Sequence, residues 1–115
     1  MATPTVGSVV LVRFPFSDLS DFKLRPAFVL ADVGKDDFLL CQITSRRYED
    51  SGALSLLDDH FSEGSLQRES FIRPEKLFTA NETLIEREIG KLTVEYWKTV
   101  VRSIVELLQR SIPGQ

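Results

Sequence analysis

The sequence predicts a mainly β domain that ends in one α-helix, and three observations support this fold class. Several short segments rich in β-branched and aromatic residues are separated by polar or glycine-containing turns. The last segment repeats its apolar residues with helical spacing. At 115 residues, with 43% hydrophobic and 27% charged residues, the chain has the size and balance of one globular domain covering residues 1–115. Short strands followed by one terminal helix favour a small, partly open β-barrel or sandwich with the helix across one end.

The N-terminal half predicts three strands. Residues 6–16, 26–31 and 38–44 are the β-rich apolar segments. A polar loop at residues 17–24 separates the first two strands. The connection between the second and third, residues 33–37, is short and polar, so these two strands should form an antiparallel hairpin.

The C-terminal half is less regular before its helix. Residues 45–69 are charged and interrupted by glycines, with one short strand expected at residues 53–56. Residues 70–77 predict a strand that is bent by its proline. The pattern at residues 84–89 fits either a helical turn or a short strand, and the sequence leaves both open.

The final segment predicts an amphipathic helix that begins after Thr93. Thr93 can cap the helix N-terminus, Glu95 complements its dipole, and Pro113 with Gly114 ends it. We expect its apolar stripe to pack on the sheet, with Trp97 as a core residue instead of a platform for stacked bases. The stripe consists of Val94, Trp97, Val100, Val101, Ile104, Val105 and Leu108.

Composition excludes several classes of function. The single cysteine, Cys41, excludes an internal disulfide, and its apolar neighbours predict a buried thiol. No apolar run approaches the roughly 18–20 residues of a membrane span and no secretory leader pattern is visible, so we expect a cytoplasmic protein without membrane contact. The net charge of −3 argues against coating nucleic acid by bulk charge. Contact with RNA would need a local basic groove.

Four blocks of sequence, in order, resemble the toxins of the PemK/MazF family. The first combines GSVVLV (residues 7–12), FPF (14–16) and KLRPAFVL (23–30). The second is LCQITS (40–45) and the third is RESFIRPEKLFT (68–79). The fourth is IGKL (89–92), which leads into the final helix. Each block alone is a weak signal, but four at family-like spacing cover most of the chain.

This resemblance implies an SH3-like β-barrel that acts as the toxin of a type II toxin–antitoxin pair. Such toxins are homodimers that cleave single-stranded RNA, chiefly mRNA, at short sequence motifs without a metal or other cofactor, and a cognate antitoxin silences them. A branch of the same fold poisons gyrase through an aromatic C-terminal tail. This chain ends in Ser-Ile-Pro-Gly-Gln, so that branch is disfavoured.

The resemblance places the catalytic residues at Arg25 and Thr44. Cleavage without a metal uses the RNA 2′-hydroxyl as nucleophile and needs a proton acceptor, stabilisation of the charged phosphate and a donor for the leaving oxygen. Arg25 suits the second need, because a guanidinium is permanently charged and can bind two phosphate oxygens. Pro26 restricts the backbone of Arg25 to extended conformations. The Thr44 hydroxyl can hydrogen-bond a phosphate oxygen.

The proton acceptor stays open. Many relatives carry a glutamate in the loop before the arginine, and the roughly equivalent position here is Ser20. The neighbouring Asp18 or Asp21 could substitute, although each also suits a turn. His60, the only histidine, has no counterpart in the family and is not expected to act in catalysis.

Hydroxyl and basic side chains in and beside the matching blocks are the expected substrate contacts. These substrate-binding residues are Ser20, Lys23, Ser45, Arg46, Ser70 and Arg73. Arg47 and Arg68 are further cations beside the blocks, and Phe16 could stack on an unpaired base. The alternative hypothesis is a barrel of the same fold whose catalytic site has decayed and which binds RNA or a peptide.

Overall fold

The computed structural model describes residues 3–15, 22–46 and 52–114 and contains seven strands and one α-helix in these ranges. Two short 3-10 turns, Asp58–His60 and Glu82–Leu84, precede β5 and β7. The main elements are β1 (Ser8–Pro15), β2 (Phe22–Gly34), β3 (Asp37–Thr44), β4 (Leu54–Leu56), β5 (Phe61–Gly64), β6 (Ser70–Asn81), β7 (Ile85–Leu92) and α1 (Val94–Arg110).

All seven strands belong to one antiparallel sheet in the order β4-β6-β3-β2-β1-β7-β5. The sheet curls into a half-barrel, and α1 packs against β6. The predicted fold class, mainly β with a C-terminal helix, is confirmed. The two edge strands are the shortest, with 3 residues in β4 and 4 in β5.

The predicted hairpin joins β2 to β3. Its two turn residues, Lys35 (φ 55°) and Asp36 (φ 64°), both adopt the left-handed conformation that a two-residue hairpin turn requires. The Asp32 carboxylate accepts a hydrogen bond from the Gly34 N–H at 2.9 Å and stabilises the entry to the turn. The strand before the turn is longer at both ends than residues 26–31.

The structure assigns the ambiguous segment after residue 84 to a strand, β7, and adds β5, which the sequence did not predict. Phe61 of β5 pairs with Leu92 of β7 and packs against the core. Gly64 has a φ of +72°, and a Cβ there would collide with the Ile89 carbonyl. The pairing of β5 therefore depends on a close approach of two backbones that only glycine permits.

The two faces of the sheet carry two separate hydrophobic clusters, as the alternation of side chains along a strand requires. The helix-side cluster packs beneath α1, and the opposite cluster fills the other face. The helix-side cluster contains Val9, Phe28, Cys41, Ile43, Leu56, Ile72, Leu92, Val100 and Ile104. The opposite cluster contains Val10, Val12, Ala27, Val29, Phe38, Leu40, Ala80 and Ile85.

Only one side of the α1 stripe reaches the sheet. Val100 and Ile104 are buried, and Trp97 packs edge-on against Phe28 with ring centroids 6.3 Å apart. The core role of Trp97 is therefore confirmed. The expectation that the rest of the stripe packs on the sheet is wrong, since Val101 (39%) and Val105 (42%) stay exposed. The spacing of apolar residues identifies the apolar side of a helix, but it does not indicate how much of that side the sheet covers.

Two polar contacts fix the start of α1. The Thr93 hydroxyl accepts the Tyr96 N–H at 3.2 Å, which confirms the predicted N-cap. The Tyr96 hydroxyl donates to the carbonyl of Ser55 on β4, and burial raises the pKa of Tyr96 to about 12. The hydroxyl therefore keeps its proton at neutral pH, and α1 is joined to an edge of the sheet.

The Cys41 thiol is buried, as predicted, and its sulfur lies 2.9 Å from the Arg73 carbonyl oxygen, to which it donates. Burial, together with the negative charge of Glu75, raises the pKa of Cys41 to about 12, so the thiol is neutral at physiological pH. No α-helix in the described ranges is long and apolar enough to cross a membrane.

Candidate functional site

A cavity of about 730 Å³ opens beside the start of β2, the end of β3 and the segment that leads into β6. Its lining combines basic and hydroxyl side chains with an apolar floor. The lining residues are Leu11, Leu24, Arg25, Pro26, Gln42, Ile43, Thr44, Ser45, Arg46, Leu66, Arg68 and Ser70. Five of the eight predicted site residues are among them.

The register of the β2–β3 hairpin brings Arg25 and Thr44 together. Ala27 is the partner of Gln42 in this antiparallel pair. The β2–β3 pairing ends there: Arg25 pairs with Val12 of β1, and Thr44 pairs with Phe71 of β6. Each is two residues beyond the last pair, so the period of two keeps both on the face of Ala27 and Gln42. The two predicted catalytic residues therefore line one cavity.

Thr44 is oriented by the turn that follows β3. Its hydroxyl oxygen accepts the Arg46 N–H at 3.1 Å. A hydroxyl that accepts one hydrogen bond still has its own proton to donate. This contact also fixes the Ser45–Arg46 turn, so the two predicted substrate-binding residues follow Thr44 at the rim of the cavity.

The opposite wall comes from the chain that enters β6. Ser70 is 2% exposed, and its hydroxyl donates to the Arg68 carbonyl at 3.2 Å. The Arg68 side chain is exposed and lines the cavity. Arg68 was only a flanking cation in the sequence, and Gln42 was not singled out. The period-two relation of Gln42 to Thr44 was the available signal for it.

The cavity is a local basic groove on an acidic protein. Arg25, Arg46 and Arg68 stand around it, and none of the described lining residues is acidic. The chain as a whole carries a net charge of −3. Cations gathered in one concavity attract an anion more strongly than the net charge suggests, because the field is local.

Lys23 and Arg73, both predicted to bind substrate, lie outside this cavity. Lys23 is exposed on β2, two residues before Arg25. Arg73 pairs with Glu75, with Nε and Nη2 at 3.1 Å and 2.8 Å from the same carboxylate oxygen. The structure thus directs the Arg73 guanidinium to a neighbouring carboxylate on its own strand.

Several sequence candidates are not covered by this geometry. Ser20 and the two candidate proton acceptors, Asp18 and Asp21, lie outside the described residues, as do Phe16 and Arg47.

His60 is described and lies away from the cavity. Its Nδ1 accepts the Leu57 N–H at 3.0 Å, and its ring stacks on Tyr96 with centroids 3.7 Å apart. These contacts give His60 a structural role in joining the 3-10 turn Asp58–His60 to α1. Within residues 3–15, 22–46 and 52–114, no group of three His, Cys, Asp or Glu side chains is arranged to hold a metal ion.

Comparison with protein families gives a match over most of the chain. The family described as the PemK-like, MazF-like toxin of type II toxin–antitoxin systems matches residues 5–108. The chain belongs to this toxin family. A comparison with curated protein sequences gave no significant match.

Solved structures of MazF toxins share the fold. A chain of the MazE–MazF complex from Deinococcus radiodurans is 17% identical, with a TM-score of 0.75 over 94% of this chain and 98% of that one. The Mycobacterium tuberculosis toxin MazF-mt6 is 14% identical, with a TM-score of 0.68 over 89% and 96%. A mycobacterial endoribonuclease in complex with its cognate antitoxin is 10% identical, with a TM-score of 0.67 over 100% of both chains. At these identities the likeness shows the common fold.

Proposed function

We propose that this PemK/MazF-family toxin is a sequence-specific endoribonuclease that cleaves single-stranded mRNA without a metal. The observation that supports this most is the meeting of Arg25 and Thr44 in one cavity that also contains Arg46 and Arg68. A cavity with three arginines and three hydroxyl side chains suits a phosphodiester chain. A mycobacterial structure of the same fold is itself described as an endoribonuclease.

In the proposed reaction, the 2′-hydroxyl oxygen attacks the adjacent phosphorus and the bond to the 5′-oxygen breaks. The products are a 2′,3′-cyclic phosphate and a 5′-hydroxyl end. Arg25 binds the non-bridging oxygens and stabilises the negative charge of the pentavalent transition state. Thr44 donates a hydrogen bond to a phosphate oxygen and holds the phosphate against Arg25. The acceptor of the 2′-hydroxyl proton stays open, with Asp18 and Asp21 as candidates. The leaving 5′-oxygen takes a proton from water, which balances the proton lost by the 2′-hydroxyl.

The remaining polar residues contact the RNA strand on either side of the cut. Ser45 and Arg46 follow Thr44 and are placed to bind the next phosphate or its ribose. Ser70 acts mainly by fixing the backbone of Arg68. Ser20, Lys23 and Arg73 stay predictions, and Arg73 would have to exchange Glu75 for RNA.

The direct experiment is to map the 5′ ends of RNAs cut by the purified chain, with and without EDTA. We expect cuts at one short motif, 5′-hydroxyl products and no dependence on divalent cations. Binding of RNA without any cleavage would favour the alternative, a decayed barrel that retains only recognition.

Replacing Thr44 with alanine should lower the cleavage rate by about 10- to 100-fold, the size expected for the loss of one oriented hydrogen-bond donor. The Thr44→Ser variant keeps the hydroxyl and should retain most activity. The measurement is the single-turnover rate on a short RNA that contains the mapped motif. Wild-type rates in the alanine variant would remove Thr44 from the site.

The proposed partner of the toxin is a cognate antitoxin in the cytoplasm. Similar chains occur in structures of a MazE–MazF complex and of an endoribonuclease with its antitoxin. A basic cavity on this chain would accept an acidic segment of such a partner, because that segment would mimic the charge of the RNA.

The exposed side of α1 supports a homodimer. Trp97, Val101 and Val105 line an apolar surface together with Val94, and the side chains of Lys98 and Arg102 border it. Trp97 and Val105 are each four residues from Val101, so two antiparallel copies crossing at Val101 would bring Trp97 of each to Val105 of the other. Such a self-complementary stripe is what a two-fold interface requires.

Replacing Val101 with glutamate should therefore weaken dimerisation by about 100-fold or more, because two carboxylates would meet at the crossing in place of two apolar side chains. The mass in solution, measured by light scattering across a dilution series, should fall from dimer to monomer. Gln109→Glu adds the same charge at an exposed position of α1 outside the stripe and should leave the mass unchanged. A monomeric wild-type chain would overturn the dimer.

A further inference from the structure

We infer that Asp58 and Ser65 are positioning residues: they hold the segment of residues 65–69 so that Arg68 binds a phosphate of the RNA strand held in the cavity. We call the pair Asp58 and Ser65 the 58–65 clip. The inference rests on the proposed ribonuclease function. It adds a pair of residues, outside the catalytic pair Arg25 and Thr44, that determines where the RNA strand is bound.

The clip is a directed pair of hydrogen bonds. The Ser65 hydroxyl donates to Asp58 Oδ1 at 2.8 Å and accepts the Gln67 N–H at 2.9 Å. A carboxylate can only accept hydrogen bonds, so the single O–H of Ser65 points to Asp58. A lone pair of the Ser65 oxygen is then directed to the Gln67 N–H. Asp58 therefore determines the direction in which Ser65 holds the backbone of the next two residues.

That backbone needs to be held, because Gln67 has a φ of 59°. A residue with a side chain rarely adopts this left-handed conformation unless neighbouring contacts impose it. The turn at Gln67 separates Leu66, which packs against the helix-side cluster, from Arg68, which is exposed. Both neighbours line the cavity. The turn reverses the direction of the side chains between these two residues, so that Leu66 contacts the core and Arg68 faces the groove.

The other end of the segment is fixed independently. The hydroxyl of the buried Ser70 donates to the Arg68 carbonyl at 3.2 Å. The backbone of Arg68 thus lies between one anchor at Ser65 and another at Ser70. Its guanidinium starts from a restricted position, which lowers the conformational entropy lost when it binds phosphate.

The clip is also tied to the rest of the fold. Asp58 begins the 3-10 turn that ends at His60, and the His60 ring stacks on Tyr96 of α1. The His60 carbonyl accepts the Thr93 N–H at 2.9 Å. A continuous set of contacts therefore runs from the start of α1 through the clip to a cation of the cavity.

The test measures binding of an RNA that contains the cleavage motif but carries a 2′-deoxy nucleotide at the cut, so that it cannot react. Binding to the purified full chain is followed by fluorescence anisotropy at several salt concentrations. We expect Arg68→Ala to weaken binding about 10-fold and to reduce the salt slope by roughly 0.7, the value for one lost phosphate contact to a single strand. Ser65→Ala should weaken binding about fivefold, as expected for one hydrogen bond.

The double variant separates positioning from a general loss of structure. In Ser65→Ala/Arg68→Ala, binding should equal that of Arg68→Ala alone, since the clip acts only through Arg68. Ser65→Thr keeps a hydroxyl and should restore binding. On cleavable RNA, Ser65→Ala should raise KM and leave kcat unchanged. Ser62→Ala, a nearby serine of β5 whose hydroxyl bonds the Lys91 carbonyl, is the matched control and should change nothing.

Effects of Ser65→Ala and Arg68→Ala that multiply in the double variant would overturn the clip, as would wild-type binding in Ser65→Ala. A wild-type chain that cuts RNA while both variants bind normally would refute this inference and leave the proposed function intact. A wild-type chain that neither binds nor cuts RNA would refute both.

Discussion

Replacing Arg25 with alanine should lower the rate of the proposed RNA cleavage by about 10³-fold or more and should relieve the growth arrest that we expect the wild-type chain to cause in bacteria. Arg25 supplies a positive charge in the same cavity as Thr44. Loss of an arginine that stabilises a phosphoryl transition state typically costs about 10³- to 10⁵-fold. The other cations of the cavity, Arg46 and Arg68, would retain RNA without stabilising the reacting phosphate.

Two variants control this prediction. Arg25→Lys keeps the charge but loses the two-point contact, so we expect an intermediate rate. Arg87→Ala removes an exposed arginine of β7 that does not line the cavity, and its activity should match the wild type. Growth arrest that persists undiminished in Arg25→Ala would contradict the assignment of Arg25 as catalytic. Single-turnover rates on the mapped RNA would then show whether cleavage occurs elsewhere.

Replacing Phe28 with alanine should lower the free energy of unfolding by about 3–5 kcal/mol, as is typical when a large aromatic side chain is deleted from a core. Phe28 is fully buried on β2 and packs against Trp97, so its ring joins the sheet to α1. The melting temperature should fall by roughly 10–20 °C. Urea unfolding followed by circular dichroism gives the free energy directly.

Phe78→Ala is the matched comparison for this stability prediction. Phe78 is only half-buried and packs on Phe14 beside the opposite cluster. Its loss should cost less than that of Phe28, because part of the ring already contacts water. Equal destabilisation by the two variants would show that the helix-side cluster does not dominate the stability of the fold.

The local features of the fold could be predicted because they depend on neighbouring residues. The alternation of Val9 and Val10 between the two clusters follows from the period of a strand, and the Thr93 cap follows from its place before an apolar stripe. The polar turn after Val33 predicted the hairpin, and its positive φ values begin at Gly34 (93°) and continue through Lys35 and Asp36.

What escaped prediction depends on distant partners. β5 has only four residues, Phe61–Gly64, and its pairing depends on the close approach of the two backbones that Gly64 and Gly90 of β7 allow. Val100 and Val101 of α1 belong to the same apolar stripe, yet Val100 is buried and Val101 is exposed. The periodicity of a helix does not indicate which of its apolar residues contact the sheet. Long-range pairing of this kind has no signal in either segment alone.

The candidate site was predictable to a similar extent. Arg25 and Thr44 came from the family resemblance, and both line the cavity just beyond the last pair of the β2–β3 hairpin. Arg68 could not be ranked above Arg73 from sequence, because both are arginines of the same block, residues 68–79. The difference arises from the Arg73–Glu75 pair and from the clip that presents Arg68, and both are properties of the folded chain.

The short edges of the sheet have a consequence for the behaviour of the protein in concentrated solution. Exposed strand edges template the addition of further chains, which leads to aggregates. Here β4 offers only 3 residues, and the Tyr96 hydroxyl already occupies the carbonyl of Ser55. The other edge, β5, has 4 residues and ends at the left-handed Gly64. We therefore expect the chain to resist fibre formation and to stay dispersed as separate molecules at high concentration.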